Sequence, residues 1–234
     1  MMILLQLVKV HKHYHLGDDV IRAANGINFK VSAGEFISIM GPSGSGKSTF
    51  LHLASLLENP TSGKVFLKGV DVTDYNEVEL AKIRNEEIGF IFQQFNLLPK
   101  ITAWENVALP LVYKGVDKKH RYSTAKAMLE LVGLGDRMEN ARSQLSGGQQ
   151  QKVAIARALV NNPAIIFADE PTGNLDSKSG EQIMELLVSL NRQGRTIVMV
   201  THEHDIAKYA GRNIILKDGV ITKDVSKKTK RPAK

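Results

Sequence analysis

The apolar residues of the first forty positions fall in short runs broken by turn residues, a pattern typical of β-strands. We predict strands over residues 4–14, 21–31 and 35–40, with the turn Ser32-Ala33-Gly34 before the third. The chain therefore opens with an antiparallel β layer. A glycine-rich loop and a helix over 48–57 follow, and then strands at 64–67 and 88–92 with a charged helix at 77–85 between them.

The apolar pattern then changes to helical periodicity, which predicts helices over residues 102–113, 118–132 and 146–159. Strand signals return at 164–168, 196–200 and 213–216, and a helix over 179–193 separates the first two. Short apolar strands that alternate with helices indicate a mostly parallel, buried sheet. We predict one α/β domain over residues 1–225, with a helical lobe inserted at about 95–160.

Composition excludes several classes of protein. Of 234 residues, 43% are hydrophobic and 24% charged, as in soluble globular proteins, and no apolar stretch reaches the roughly 20 residues of a membrane span. We expect neither a spanning helix nor a secretion signal. The absence of cysteine excludes disulfides, a thiolate nucleophile and cysteine-ligated metal sites.

The formal net charge of +7 is partly local. The last nine residues, 226–234, read SKKTKRPAK and contain five basic residues and no acidic one. We expect a solvated, disordered tail; contact with lipid headgroups or nucleic acid is the alternative.

The strongest chemical motif is the loop from Gly41 to Ser48, which fits G-x-x-x-x-G-K-[ST] between the apolar strand FISIM and a helix. Backbone N–H groups of such a loop and the helix N-terminus bind phosphate. We expect Lys47 to contact the terminal phosphates of a nucleotide and the Ser48 hydroxyl to bind Mg²⁺. The motif in this setting predicts that the α/β domain has a P-loop NTPase core. A glycine-rich turn with a surface lysine is the alternative. The predicted phosphate-binding residues are Gly41, Ser43, Gly44, Ser45, Gly46, Lys47, Ser48 and Thr49.

A second motif is the apolar strand IIFAD followed by a glutamate. A buried parallel strand places its terminal acids at the edge of the sheet where a phosphate loop also lies. We expect Asp169 to bind Mg²⁺, and Glu170 to orient and deprotonate the water that attacks the γ-phosphate. Two acids that merely end a strand are the alternative.

The segment LSGGQ at 145–149 distinguishes among P-loop enzymes. With this signature upstream of the acidic strand, the chain resembles the ABC ATPase family from Tyr14 to about Val225. A serine and two glycines that open a helix form a second anion-binding helix end. The resemblance implies that this end binds the γ-phosphate held by a second subunit, and hence a homodimer formed on ATP binding. The residues assigned to this contact in trans are Ser146, Gly147, Gly148, Gln149 and Asp176.

Further positions match motifs of the family. Gln93 in IFQQFNLLP matches the glutamine that senses Mg²⁺ and the attacking water, with Gln94 as the adjacent competitor. His202 matches the histidine that contacts the γ-phosphate and supports the glutamate; a strand-end histidine is otherwise an ordinary polar cap. Tyr14 matches the aromatic residue that stacks on adenine, although a strand tyrosine is more often packing.

The resemblance implies an ATPase that uses ATP and Mg²⁺, drives membrane permease subunits and lies peripherally on the cytoplasmic face of the membrane. The segments FNLLPKITAWENVALPL and PTGNLDS are most similar to the lipoprotein-releasing and macrolide-export group. A regulatory ABC ATPase that transmits force without transport is the alternative. A soluble form acting on nucleic acid is disfavoured because no long insertion separates Lys47 from Leu145.

Three alternating histidines, His11, His13 and His15, share one face of the predicted first strand and form a candidate metal site. We favour an ordinary solvent-facing strand, because no nearby carboxylate or cysteine completes the site.

Overall fold

A computed structural model describes residues 2–17 and 19–227 of the chain. The described residues divide into two compact units, one from 2–75 without 18 together with 196–227, the other from Asn76–Arg195. Helices and both parallel and antiparallel strand pairs are present, so the predicted α/β class is confirmed. The predicted tail, 226–234, lies outside the described residues from position 228 onward.

The strands are β1 (Ile3–Leu16), β2 (Asp19–Ser32), β3 (Phe36–Met40), β4 (Ser62–Leu67), β5 (Val70–Asp71), β6 (Ile88–Ile91), β7 (Ile165–Asp169), β8 (Ile197–Val200), β9 (Arg212–Lys217) and β10 (Val220–Ser226). The α-helices are α1 (Lys47–Ala54), α2 (Glu77–Glu87), α3 (Ala103–Tyr113), α4 (Lys118–Leu131), α5 (Gly147–Leu159), α6 (Ser177–Arg192) and α7 (His204–Ala207).

The first unit contains an antiparallel layer and a mostly parallel one. The antiparallel strands have the order β2-β1-β4-β5. In the other layer β3 pairs in parallel with both β8 and β9, and β9 pairs with β10 in antiparallel orientation. All five residues of β3 are buried, as expected for a strand with a neighbour on each side. Helix α1 contacts strands of both layers, and its Phe50 ring lies 5.0 Å from that of Phe29 in β2.

The predicted helix over 48–57 is too long at its carboxyl end. Helix α1 ends at Ala54, because Leu56 adopts a left-handed conformation with φ 60° and the N–H of Leu57 donates back to the carbonyl of His52. The sequence analysis also missed β5, β10 and α7.

The second unit contains the parallel pair β6 and β7 and the helices α2 to α6. Helix α5 contacts α3, α4, α6 and β6, and residues 153–156 on it are fully buried. Capping boxes begin α2, α3 and α5, where a polar side chain and the residue three positions later hydrogen-bond each other's backbone N–H. No helix in the described part of the chain is both long and apolar enough to cross a membrane.

Candidate functional site

The glycine-rich loop leads from β3 into α1 and requires glycine at several positions. Gly44 and Gly46 have φ of 76° and 93°, in the left-handed region where glycine is unstrained. Two close backbone approaches add to this requirement. A Cβ on Gly41 would collide with the carbonyl oxygen of Leu216, and one on Gly46 with that of Ala23. The loop is thus held tightly against neighbouring backbone before the helix begins.

Polar groups of this loop are arranged as a phosphate site requires. Lys47 Nζ donates to the carbonyl oxygens of Gly41 and Pro42, each at 2.9 Å, which holds the ammonium group across the loop. The Ser45 hydroxyl is buried and has no hydrogen-bond partner within the described part of the chain. Ser48 is exposed on the first turn of α1. An ammonium, two hydroxyls and the helix N-terminus fit a polyphosphate.

Tyr14, the predicted adenine contact, lies near the end of β1 in the same unit and is half-buried. Its hydroxyl donates to Glu58 Oε2 at 2.6 Å and is also hydrogen-bonded to the side chain of Thr49 on α1. Burial, followed by the bond to Glu58, raises the pKa of Tyr14, so the phenol remains protonated at neutral pH. Ser43 is exposed in the loop.

His202 lies two residues after the end of β8 and has an exposed side chain. Ile39 of β3 is paired with Val200 of β8, and the N–H of Thr201 donates to the carbonyl of Ile39 at 3.1 Å. Parallel neighbours end at the same edge of a sheet. The first unit therefore places the start of the glycine-rich loop and His202 at one edge.

In the second unit Asp169 ends β7 and Glu170 follows it, both half-buried. Glu170 has φ 43°, a left-handed conformation that is uncommon for a residue with a side chain. Its carbonyl accepts a hydrogen bond from the N–H of Gly173 at 3.0 Å, which closes a turn. Strained backbone of this kind is frequent at functional sites.

Gln93 lies beside this turn, because β6 and β7 are parallel with Ile91 opposite Ala168. Asn174 Nδ2 donates to the carbonyl of Gln93 at 2.9 Å. Gln93 is half-buried, whereas the side chain of Gln94 is exposed. These contacts favour Gln93 over Gln94 as the glutamine that senses Mg²⁺. The sequence analysis gave no role to Gly173 and Asn174, although both stand in PTGN, directly after Glu170.

The signature segment forms an exposed, capped helix end. Ser146 N donates to Gln149 Oε1 at 2.9 Å, and the Ser146 hydroxyl accepts from Gln149 N at 3.3 Å. That hydroxyl keeps its own proton, which it can donate to a ligand. Ser146 is exposed, and Gly147 and Gly148 are half-buried. A surface that a second molecule could reach, which the dimer prediction requires, is therefore present.

Asp176 is joined to the signature segment through Ser179. Asp176 Oδ1 accepts from Ser179 N at 3.0 Å and caps α6, while a Cβ on Gly148 would lie 3.1 Å from the side chain of Ser179. Hydrogen bonds from the Ser179 side chain and backbone lower the pKa of Asp176. The second unit thus brings Ser146–Gln149 and Asp176 to neighbouring helix N-termini.

The histidines of β1 are not arranged as a metal site. The pairing of β1 with β2 shifts register around Lys12, and the rings of His11 and His13 meet edge to face with centroids 5.8 Å apart. Over residues 2–17 and 19–227, no cluster of at least three His, Cys, Asp or Glu residues is placed to bind a metal ion.

Comparison with known proteins gives a consistent result. A family model described as ABC transporter matches residues 24–173. An uncharacterized ABC transporter ATP-binding protein of Thermotoga maritima is 52% identical over 217 residues, which are 93% of this chain and 93% of that protein. A macrolide export ATP-binding/permease protein, MacB, of Bdellovibrio bacteriovorus is 52% identical over 94% of this chain, which spans only 34% of the length of that protein.

Among solved structures, the ATP-binding cassette MJ0796, a protein of Methanocaldococcus jannaschii, is similar with a TM-score of 0.87 and 48% identity. The match covers 95% of this chain and 98% of that one. That structure is described as a dimeric post-hydrolysis state bound to ADP and Pi.

Proposed function

Because the chain belongs to the family of ABC transporter ATP-binding proteins, we propose that two copies of it close around two molecules of ATP and drive a membrane permease. As a member of this family the chain is an ATP-binding ATPase. The proposal adds to this activity a dimer, a bound magnesium ion, roles for single residues and a permease partner.

The observation that carries the proposal is the presence of two anion-binding helix ends in one chain. One is the N-terminus of α1, behind the glycine-rich loop with Lys47. The other is the N-terminus of α5, capped by the exposed Ser146. We assign the first end to the nucleotide of its own copy and the second to the γ-phosphate bound by the other copy. The dimeric form of MJ0796 supports this arrangement.

In the proposed site, Lys47 and the loop N–H groups bind the phosphates, and Tyr14 stacks on the adenine. Ser43, Gly44, Ser45, Gly46 and Thr49 complete the phosphate contacts, and Gly147, Gly148, Gln149 and Asp176 contribute from the other copy. Glu170 orients the attacking water and accepts its proton, because a carboxylate within hydrogen-bond reach of the water acts as a general base. His202 donates to the γ-phosphate and keeps Glu170 in place.

The residues assigned to magnesium have the chemistry that this ion prefers. The Ser48 hydroxyl, the Asp169 carboxylate and the Gln93 amide all offer hard oxygen ligands. Mg²⁺ bound there would neutralise charge that develops on the β- and γ-phosphates. Gln93 and Glu170 follow neighbouring parallel strands in one unit. A displacement of Gln93 at the magnesium site would therefore also displace the general base.

We further propose that the partner is a permease of the macrolide-export or lipoprotein-releasing type, with this chain on the cytoplasmic face of the membrane. Sequence similarity to MacB, whose name joins an ATP-binding part and a permease, supports this assignment. Co-purification from native membranes, followed by identification of the bound proteins, tests it. Transport assays in vesicles that contain the permease then distinguish transport from force transmission without transport.

The ATPase proposal is tested by phosphate release from Mg²⁺·ATP. We expect saturable hydrolysis by the wild-type chain, and no turnover above background for Lys47→Ala, which removes the ammonium group from the phosphate loop. An exposed lysine on α2, Lys82→Ala, is the matched control and should retain wild-type turnover. Wild-type turnover by Lys47→Ala would contradict the assignment of that lysine.

A further inference from the structure

Three side chains of the first unit converge on Glu58, a residue in the segment between α1 and β4. Glu58 Oε2 accepts from the Tyr14 hydroxyl at 2.6 Å and lies 3.4 Å from Lys12 Nζ. Glu58 Oε1 lies 3.1 Å from Nδ1 of His52, on the last turn of α1. The side chain of Glu58 is 30% exposed, so these partners replace part of the hydration of its carboxylate.

The contacts of Glu58 favour its ionised form. Burial raises the pKa of Glu58, but hydrogen bonds from Tyr14 and His52 and the charge of Lys12 outweigh it, and the net pKa is lowered. The ionised carboxylate therefore accepts the hydrogen bond from the Tyr14 hydroxyl at every pH near neutral. A charge-assisted hydrogen bond of this kind is shorter and stronger than one between neutral groups.

Tyr14 is held on two further sides. Thr49, two residues after the lysine of the phosphate loop, hydrogen-bonds the Tyr14 phenol. Lys12 Nζ lies 5.4 Å from the centroid of the Tyr14 ring and also donates to the carbonyl of Asn59 at 2.8 Å. The ring is thus fixed by its hydroxyl and by a cation over one face.

These contacts link Tyr14 to both ends of α1, the helix that begins at the phosphate loop. Thr49 stands on its first turn, and His52 on its last turn contacts Glu58. A change in the position of Glu58 would therefore move the Tyr14 ring relative to the phosphate-binding end of the helix. The distance between a base platform and a phosphate site decides how well both parts of one nucleotide bind at once.

We propose that Glu58 is a positioning residue, which fixes the Tyr14 ring as a platform for the purine base of the bound nucleoside triphosphate. This inference rests on the proposed function, because it takes the loop at Lys47 as the phosphate site. Glu58 itself touches neither base nor phosphate. It acts through the orientation of Tyr14.

The test compares a ligand that has a base with one that lacks it. Glu58→Gln keeps the size of the side chain and removes the charge. We expect KM for ATP to rise about three- to tenfold, the range for loss of one hydrogen bond, with little change in kcat. Inhibition by tripolyphosphate, which has phosphates but no base, should stay at the wild-type level. Glu185→Gln, an exposed carboxylate on α6, is the matched control and should behave as wild type.

A second pair of variants separates positioning from general destabilisation. Tyr14→Phe keeps the ring and removes the hydroxyl, so it should raise KM for ATP as Glu58→Gln does. In a Tyr14→Ala background, Glu58→Gln should have no further effect on KM, because the platform is already absent. If Glu58→Gln does not fold, Tyr14→Phe decides the question by the same two ligands.

Three results would overturn the inference: an unchanged KM for ATP in both Glu58→Gln and Tyr14→Phe, an equal loss of tripolyphosphate inhibition, or additive effects with Tyr14→Ala. The proposed function fails separately, if the wild-type chain does not hydrolyse ATP. A wild-type chain that hydrolyses ATP with a Glu58→Gln variant of unchanged KM would leave the ATPase in place and remove only the role of Glu58.

Discussion

The side-chain nitrogen Nε2 of Gln93 lies 2.6 Å from the position that a Cβ on Gly173 would occupy. No real Cβ tolerates so short a contact, so Gln93 can hold its place only because residue 173 is glycine. Gly173 is also tied by its N–H to the carbonyl of Glu170. The position of the predicted magnesium ligand therefore depends on a glycine in the turn that follows the predicted general base.

Gly173→Ala should lower kcat for ATP by about 10- to 100-fold, because displacement of a catalytic side chain by about 1 Å has effects of this size. ATP binding through the phosphate loop should persist, so the loss should be in kcat more than in the affinity for ATP. Steady-state hydrolysis and equilibrium binding of ATP measure the two. Gly211→Ala is the control, since a Cβ there meets its nearest neighbour, the carbonyl oxygen of Phe36, only at 3.8 Å. Wild-type turnover by Gly173→Ala would contradict the claim that activity depends on this position of the Gln93 side chain.

Arg157 of α5 holds the segment after Gln93. Its guanidinium donates to the carbonyl oxygens of Phe95 at 2.9 Å and Asn96 at 2.6 Å, two residues with left-handed φ of 61° and 48°. Burial lowers the pKa of Arg157, but the group stays charged at any ordinary pH. A planar fork can bond two successive carbonyls at once, which a single ammonium group does poorly.

Arg157→Lys should therefore destabilise the chain by about 1 to 3 kcal/mol, the range for hydrogen bonds to charged groups. Amide hydrogens over residues 94–98 should exchange faster with solvent, since their segment loses its attachment to α5. Urea unfolding and hydrogen exchange followed by mass spectrometry measure these changes. Arg192→Lys, on the exposed side of α6, should alter neither. Unchanged exchange over 94–98 would contradict the role of Arg157.

Asp176 combines a helix cap with a predicted contact at the dimer surface, and two substitutions separate them. Asp176→Asn keeps an oxygen that accepts from Ser179 N, so its melting temperature should remain near that of the wild type. Asp176→Ala loses the cap and should melt earlier. Both should hydrolyse ATP more slowly if the carboxylate acts across the dimer. Equal melting temperatures for Asn and Ala would contradict the capping role.

The same cap gives a pH dependence. The pKa of Asp176 is lowered in the folded chain, so folding favours its ionised form. The stability it contributes is full above the ordinary aspartate pKa and is lost as pH falls through the lowered value. The melting temperature of the wild type should therefore fall relative to that of Asp176→Asn only as pH drops below about 4, the ordinary aspartate pKa, because an asparagine side chain does not titrate. No change with pH would contradict the lowered pKa.

The buried strands could be predicted because a short, almost wholly apolar run is compatible with few other structures. FISIM and IIFAD are apolar over nearly their whole length, and each is followed by the polar residues of a motif. Strand β10 was missed because its residues are mostly exposed and polar. The dipeptide Asp218-Gly219 was an available signal, since both residues have positive φ and connect β9 to β10 as a hairpin.

Other features depend on contacts between residues far apart in the chain, which no local pattern reports. Glu58 reaches Tyr14 across 44 residues, and Arg157 reaches Phe95 across 62. The end of α1 was missed for a different reason, because the apolar run continues through Leu57 although Leu56 is left-handed. The motif residues could be assigned from the resemblance, whereas the side chains that hold them required the structure.

The proposed mechanism depends most on the binding of one nucleotide by two copies of the chain. Sedimentation velocity of Glu170→Gln with saturating Mg²⁺·ATP measures it directly, because loss of the general base should trap the state before hydrolysis. We expect Glu170→Gln to form a species of twice the monomer mass with ATP and to remain a monomer with ADP. The double variant, with Ser146→Arg added at the exposed end of α5, should remain a monomer with ATP. A Glu170→Gln chain that binds ATP and stays monomeric, or a dimer that survives Ser146→Arg, would contradict it.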